Sequence, residues 1–120
     1  MSTGRLSVDQ HYYSNLGLYK LLMSIDDEDV LRDYYDTTIK PILDYDLVNK
    51  TELVDLLRCY LKNDGSVNKT ADEMFVHRNT INYKINKIEE ICDVDLSTLN
   101  VRINFSVGLM LMDIIKKGAS

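Results

Sequence analysis

The sequence contains few of the residues on which disulfide scaffolds and metal sites depend. Among 120 residues it has no tryptophan, two histidines and two cysteines, and Cys59 and Cys92 lie far apart and outside any CxxC pair. A disulfide framework and a cysteine–histidine metal site are therefore not expected. Buried free thiols in a reducing cytoplasm are the favoured interpretation. One proline and five glycines leave long stretches in which helices can form.

Long apolar runs and catalytic motifs are also missing. The longest apolar run, VGLMLMDII near the C-terminus, is interrupted by Asp113 and is too short to span a bilayer. No charged segment followed by an apolar one marks the N-terminus as a secretion signal. No nucleophile elbow, glycine-rich phosphate loop or paired carboxylate is recognisable. We therefore expect a cytoplasmic chain without enzymatic activity, without a cofactor and without a membrane partner.

The net charge of −5 argues at first against a nucleic-acid partner. The charge is unevenly distributed, however. Residues 1–64 contain twelve acidic and seven basic residues, whereas residues 65–120 contain seven of each. Within residues 66–88 four basic residues outnumber two acidic ones. The excess of negative charge therefore lies in the first half, and this part of the second half is weakly positive.

Apolar residues recur at helical spacing, and no sustained β-alternation is present, so the predicted fold is an all-α bundle of about six helices. Residues 1–12 are expected to be a disordered N-terminus or a cloning remnant. Residues 13–46 are interpreted as a helical lead-in segment and 47–118 as a helix-turn-helix domain, packed together as one unit. The expected helices cover residues 13–24, about 28–40, about 51–62, two segments within 66–92, and about 97–117.

Local signals predict how these helices begin and end. Pro41 excludes an uninterrupted helix unless the helix kinks there or a new short turn begins at this residue, and the chain is then expected to turn through residues 42–46. Asn49 or Thr51 is the expected N-cap of the third helix, and residues 63–65 should end it in a left-handed turn. The predicted inner side of the second helix is Val30, Leu31, Tyr34, Tyr35 and Thr38, and that of the third is Leu53, Leu56, Leu57, Tyr60 and Leu61.

The last helix, beginning at Ser97 or Asn100, is apolar around much of its circumference, which indicates burial on more than one side. Packing inside one protomer and a seam between two protomers are both compatible with this pattern. One apolar stripe contains Ile103, Val107, Met110 and Ile114, and a second contains Phe105, Leu109 and Met112.

Residues 66–92 have the layout of a helix-turn-helix motif. Ala71 is a small residue in the first helix, and Ile81 provides an aliphatic anchor ten residues later. Ser66 is the expected N-cap, with Val67, Ala71 and Met74 facing inward. Phe75 and Val76 are expected to plug the elbow. Because Phe75 occupies the position that is commonly glycine, we expect the turn to form without a left-handed residue.

The second helix of the motif has a predicted buried stripe of Ile81, Ile85, Ile88 and Cys92. Its N-terminal end is the part that would enter the DNA major groove. Arg78 can bond the O6 and N7 atoms of guanine, and Asn79 or Asn82 can pair with adenine. The side chains placed to bind phosphates are Ser66, Lys69, Thr80, Tyr83, Lys84 and Lys87.

The run FVHRNTINYKINKIE, within GSVNKTADEMFVHRNTINYKINKIEEI and followed by DVDLSTLNVRINFSVGLML, resembles the C-terminal helix-turn-helix domain of PucR- and CdaR-type bacterial regulators. These are the purine-catabolism and sugar-diacid regulators. The upstream segments LGLYKLL, YYDTTIKPILDYD and ELVDLLRCYLKN resemble the helices that precede this motif, so the resemblance covers roughly residues 15–117. It implies DNA contacts by His77, Arg78, Thr80 and Asn82, and a sensor domain that is missing from this chain.

Two functional hypotheses remain open at the sequence level. The first is sequence-specific binding to double-stranded DNA, in the major groove, as a homodimeric output domain of a transcription regulator. The alternative is a helical protein–protein interaction or dimerisation module that does not read DNA. His77 is similarly ambiguous, because it can either cap the second helix of the motif or read a base.

Overall fold

The structure is a computed structural model that describes residues 16–119. It confirms the all-α bundle, and within the described residues it contains seven α-helices and no strand. The interpretation of residues 1–12 falls outside the described part of the chain. The helices are α1 (Leu16–Met23), α2 (Glu28–Thr38), α3 (Lys40–Asn49), α4 (Leu53–Lys62), α5 (Val67–Met74), α6 (Arg78–Cys92) and α7 (Leu99–Ala119).

Helix α3 was not expected. The turn predicted through residues 42–46 is wrong, because these residues lie within this helix. The preceding helix ends at Thr38, before Pro41, and Pro41 lies in the first turn of α3, where a proline lacks only an N–H that the helix does not need. Ile39 joins α2 to α3 with a helical backbone and is fully buried. This additional helix explains why the bundle has seven helices instead of about six.

A buried carboxylate takes the place of the predicted cap of α4. Neither Asn49 nor Thr51 caps that helix. Asp46, on α3 and 9% exposed, accepts hydrogen bonds from the backbone N–H groups of Leu53 at 2.8 Å and Val54 at 2.9 Å. It also accepts a hydrogen bond from the hydroxyl of Thr51. The sequence-based assignment failed because the acceptor comes from the preceding helix and not from the residue next to α4.

The main core combines residues from most of the bundle. It includes Ile39 and Ile42 from the α2–α3 region, Leu57 from α4, Ile81 from α6 and Phe105 from α7. The predicted stripe of α4 is buried except at its end, where Leu61 is half-buried. The division of the chain into a lead-in segment and a helix-turn-helix domain remains a prediction.

Helix α7 packs inside the protomer on two sides. Phe105, Leu109 and Met112 join the main core, whereas Met110 and Leu111 pack against α1 and α2 in a second cluster. Helices α2 and α7 approach each other closely at Gly108, where a Cβ atom would overlap the side chain of Thr38. The breadth of the apolar surface of α7 is therefore largely accounted for within one protomer.

Two predicted inner positions are exposed. Val30 on α2 is 53% exposed and Ile103 on α7 is 48% exposed. Both lie near the N-terminal end of their helix. Among residues 16–119, no helix combines the length and the apolar character needed to cross a bilayer.

Candidate nucleic-acid interface

The turn before α5 positions the first helix of the motif. Helix α4 ends in a left-handed turn at Asp64 and Gly65, as the sequence predicted. Ser66 then caps α5, because its Oγ accepts a hydrogen bond from the backbone N–H of Lys69 at 3.2 Å. The buried Thr70 donates its hydroxyl hydrogen to the carbonyl of Ser66 at 2.7 Å. The start of α5 is thus held by its own side chains, and Lys69 is left exposed.

The elbow between α5 and α6 differs from the prediction in two ways. Phe75 adopts the left-handed conformation, with φ 58° and ψ 42°, and its N–H bonds the carbonyl of Ala71. The expectation of a turn without a left-handed residue is therefore wrong. Phe75 is also 93% exposed and Val76 is 39% exposed, so they do not plug the elbow. In the left-handed conformation, the Phe75 side chain lies outside the core.

His77 is the N-cap of α6. Its Nδ1 accepts a hydrogen bond from the backbone N–H of Asn79 at 3.0 Å. Because Nδ1 is the acceptor, the ring hydrogen of the neutral imidazole lies on Nε2, which is therefore a hydrogen-bond donor. His77 itself is exposed. Capping the helix and contacting DNA are thus compatible roles for this one side chain.

The start of α6 presents the predicted base-reading residues to solvent. Ile81, Ile85 and Ile88 anchor the helix in the core. Asn79 and Tyr83 lie on the opposite face, whereas Arg78 and Thr80 flank the buried stripe. The exposed predicted contacts on and just before this helix are His77, Arg78, Asn79, Thr80, Asn82, Tyr83 and Lys84.

Lys87 does not join this group. It is half-buried, and its Nζ lies 5.4 Å from the centre of the Tyr45 ring on α3. The same Nζ is 3.7 Å from a carboxylate oxygen of Glu90. Lys87 therefore connects α6 to the lead-in helices, and a role in binding phosphate remains a prediction.

The basic residues differ in whether they are already paired. Lys62 on α4 lies 2.6 Å from Glu73, and Arg58 lies 3.2 Å from Asp113. Within residues 16–119, by contrast, no ion pair is found for the predicted DNA contacts Lys69, Arg78 and Lys84. Their positive charge is therefore available for an external anion.

Glu73, an acidic residue on α5, is neutralised by donors from α4. Besides Lys62, it accepts hydrogen bonds from the Cys59 thiol at 3.2 Å and from Asn63 Nδ2 at 3.4 Å. Lys62, followed by Cys59, lowers the pKa of the Glu73 carboxyl. Burial, and then the hydrogen bond to Glu73, raises the pKa of the Cys59 thiol to about 11. Sequence analysis missed this network because its members lie on different helices.

The cysteines remain free thiols, with Cys59 and Cys92 both half-buried. Burial raises the pKa of Cys92 to about 11 as well. The part of the chain that the structure describes contains no group of three or more histidine, cysteine or acidic residues able to hold a metal ion.

Comparison with known proteins identifies the motif. Residues 53–111 match the family model of the PucR C-terminal helix-turn-helix domain. The chain is similar to the proline-responsive transcriptional activator PutR of Bacillus subtilis strain 168, with 33% identity over 110 residues. That match covers 92% of this chain and 27% of PutR. No solved structure matches the chain.

Two other proteins of the same organism are also similar. The DNA-binding transcriptional activator AdeR is 24% identical over 99 residues, which cover 82% of this chain and 24% of AdeR. The purine catabolism regulatory protein is 26% identical over 85 residues, which cover 71% of this chain and 16% of that protein. The chain thus spans about a quarter or less of each relative's length. The family match shows that residues 53–111 of the chain belong to the PucR C-terminal helix-turn-helix family.

Proposed function

We propose that the chain binds double-stranded DNA in a sequence-specific manner, as the cytoplasmic C-terminal output domain of a bacterial transcription regulator. The observation that carries this proposal is the exposed N-terminal end of α6, where Arg78, Asn79 and Asn82 surround a helix start capped by His77. Its family and the names of its relatives, which describe transcriptional activators, support a regulatory role.

The proposed roles follow from side-chain chemistry. Arg78 would bond the O6 and N7 atoms of guanine, and Asn79 or Asn82 would pair with adenine, in the major groove. His77 would donate its Nε2 hydrogen to a base or phosphate. Phosphates would be bound by the exposed Lys69, Thr80, Tyr83 and Lys84 and by Ser66 at the start of α5, with Lys87 a peripheral member of that group.

A homodimer fits this function best, because one protomer offers few charges to the DNA backbone. Two charged phosphate contacts, from the exposed Lys69 and Lys84, correspond to a salt-dependence slope of about −1.8 per protomer. Pairing would double that slope and place two α6 helices about one helical turn of DNA apart. A sensor domain in a longer protein could supply the dimer contact, since the relatives are about four or more times longer than the matched region.

Selection of bound duplexes from a random DNA pool tests this function directly. We expect the wild-type chain to enrich a defined sequence, and Arg78→Ala to weaken binding to it by about 1–3 kcal/mol. Asn82→Ala should relax selectivity at one base pair. Arg32 is an exposed arginine on α2, away from the motif. Arg32→Ala is therefore the matched control and should bind like the wild type. Enrichment of no sequence, with no effect of Arg78→Ala, would contradict the proposal.

The alternative function, a helical protein-interaction module, is favoured by one observation. Leu47 and Val48, at the end of α3, are 72% and 80% exposed. If this module were the function, substitution of Leu47 and Val48 would abolish partner binding, and substitution of Arg78 and Asn82 would leave it unchanged.

A further inference from the structure

Phe75 combines two unfavourable features at one position. Its ring is 93% exposed, and its backbone is left-handed, a conformation that a bulky side chain rarely adopts. Within residues 16–119, three more non-glycine residues are left-handed, and all three are polar: Lys50, Asp64 and Asp93. A glycine at position 75 would avoid both features. The phenylalanine ring therefore contributes little to the stability of the chain's own fold.

Phe75 is close along the chain to the proposed base-reading residues. Phe75 precedes His77 by two residues and Arg78 by three, so the Cα atoms of Phe75 and Arg78 are at most about 11 Å apart. No ion pair within the described residues neutralises Arg78 or Lys84, whereas Lys62 already neutralises Glu73. An apolar ring in a locally positive surface complements a polyanion that also has apolar groups.

Duplex DNA offers such apolar groups near its phosphates. The C5-methyl group of thymine projects into the major groove, where aromatic side chains can contact it, and the carbon atoms of deoxyribose line the groove edge. We propose that Phe75 is an apolar DNA contact that packs against a thymine methyl group or a deoxyribose ring beside the bases contacted by Arg78. This proposal rests on the proposed function and adds a DNA-contacting residue outside α6.

The test compares Phe75→Gly and Phe75→Asn with the wild type in the full 120-residue chain. The probe is a duplex that the wild-type chain has selected from the random pool. Because both substitutions relieve the left-handed backbone, we expect thermal unfolding at the same or a higher temperature. Binding of the selected duplex should nevertheless weaken about tenfold, as expected for loss of a buried aromatic contact.

Two controls separate the ring from its setting. Lys50, at the end of α3, is left-handed with φ 55° and ψ 46°, nearly the same backbone angles as Phe75. Lys50→Gly therefore relieves the same backbone strain at a different place. Leu47→Ala removes an apolar side chain that is also exposed. Both variants should bind the selected duplex to within about twofold of the wild type, because neither lies on the helix-turn-helix motif.

Replacing thymine by uracil in the duplex identifies the contacted group. Binding by the wild type should weaken about fourfold for one lost methyl contact. If Phe75→Gly shows no further loss on uracil, the contact is the thymine methyl. If neither protein responds to uracil but Phe75→Gly still binds more weakly, the contact is the sugar. Either pattern supports the proposal.

Unchanged binding by both Phe75 variants would overturn the proposal and direct attention to a protein partner for the ring. This result differs from a failure of the proposed function. If the proposed function is wrong, the wild type will enrich no sequence and Arg78→Ala will have no effect. The Phe75 contact would then be excluded as well.

Discussion

The junction between α3 and α4 and the junction between α5 and α6 share two features but use them for different purposes. Each begins with a left-handed residue, Lys50 in the first and Phe75 in the second. In each case the next helix also receives a side-chain acceptor: the carboxylate of Asp46, which lies on α3, in the first and the imidazole of His77 in the second. Asp46 is buried among its donors, whereas His77 and its neighbours face solvent.

This difference in exposure separates a structural junction from a functional one. At α3–α4 the polar groups satisfy one another inside the fold, so their removal should affect stability. At α5–α6 one cap bond leaves several donors and acceptors exposed around the start of α6. Their removal should affect binding more than folding. The predictions below test this contrast, from the largest expected effect to the smallest.

The largest effect is expected for Asp46→Ala. Two buried backbone N–H groups, of Leu53 and Val54, would lose their acceptor, which should destabilise the protein by about 3 kcal/mol. Urea unfolding monitored by circular dichroism measures this change. Asp44→Ala is the control, because that exposed carboxylate pairs with Lys40 at the surface and should contribute less than about 0.5 kcal/mol. Equal losses of unfolding free energy in both variants would contradict a structural role for Asp46.

His77→Ala should lower stability by about 1 kcal/mol, the usual effect of losing an N-cap. It should also weaken binding to the selected duplex, because the start of α6 would fray and a donor would be lost. His77→Asn restores an N-cap without the imidazole. If His77→Asn recovers stability but not affinity, His77 both caps the helix and contacts DNA. Full recovery of stability and affinity would show that His77 acts only as the helix cap.

Lys84→Ala should change binding without changing folding. Loss of one phosphate contact reduces the slope of log K against log salt by about 0.9. Titration of the selected duplex at several salt concentrations, with unfolding measured in parallel, provides the comparison. Lys40→Ala is a matched control on α3, where the lysine is already paired with Asp44. The same slope for Lys84→Ala and the wild type would exclude Lys84 as a contact.

The smallest effect is expected for Glu73→Gln. The pKa of Glu73 is lowered in the folded state, so its stabilising contribution is present above the unfolded pKa, about 4.3, and is lost as the pH falls through the folded pKa. The wild type should exceed Glu73→Gln in stability by less than about 1 kcal/mol near neutral pH, because this ion pair is exposed. The difference should disappear in acid.

Asp72→Asn removes a carboxylate charge from the same helix without touching the Glu73 network. It should not reproduce the pH-dependent difference, which unfolding curves at several pH values will measure. If both variants behave alike, net charge and not the contact with Lys62 determines the effect.

Short-range features of this protein could be predicted from its sequence. The isoleucine stripe of α6, the N-cap at Ser66 and the left-handed end of α4 all depend on residues within a few positions of one another. The helix-turn-helix motif could be located for the same reason. The resemblance to PucR-type regulators, carried mainly by residues 75–89, is confirmed by the family match over residues 53–111.

Other features depended on how the helices pack. Asp46 caps a helix that begins seven residues later, and Glu73 gathers donors from α4. The Nζ atom of Lys87 lies over the Tyr45 ring, and Lys87 is half-buried instead of joining the exposed group. Local spacing cannot reveal such partners, because they are set by the angle and distance between helices. The exposed position of Phe75 was missed because its hydrophobicity suggested burial, while the left-handed elbow directs it outward.

By itself, then, the sequence determined the helical character of the chain, the position of the helix-turn-helix and the chemical identity of its exposed residues. Helical periodicity and capping act over one or two turns and can be read along the chain. Only the tertiary structure decided which acceptor satisfies each buried donor, which charges are already paired and which remain exposed. Those outcomes depend on surfaces that meet only after the seven helices have packed.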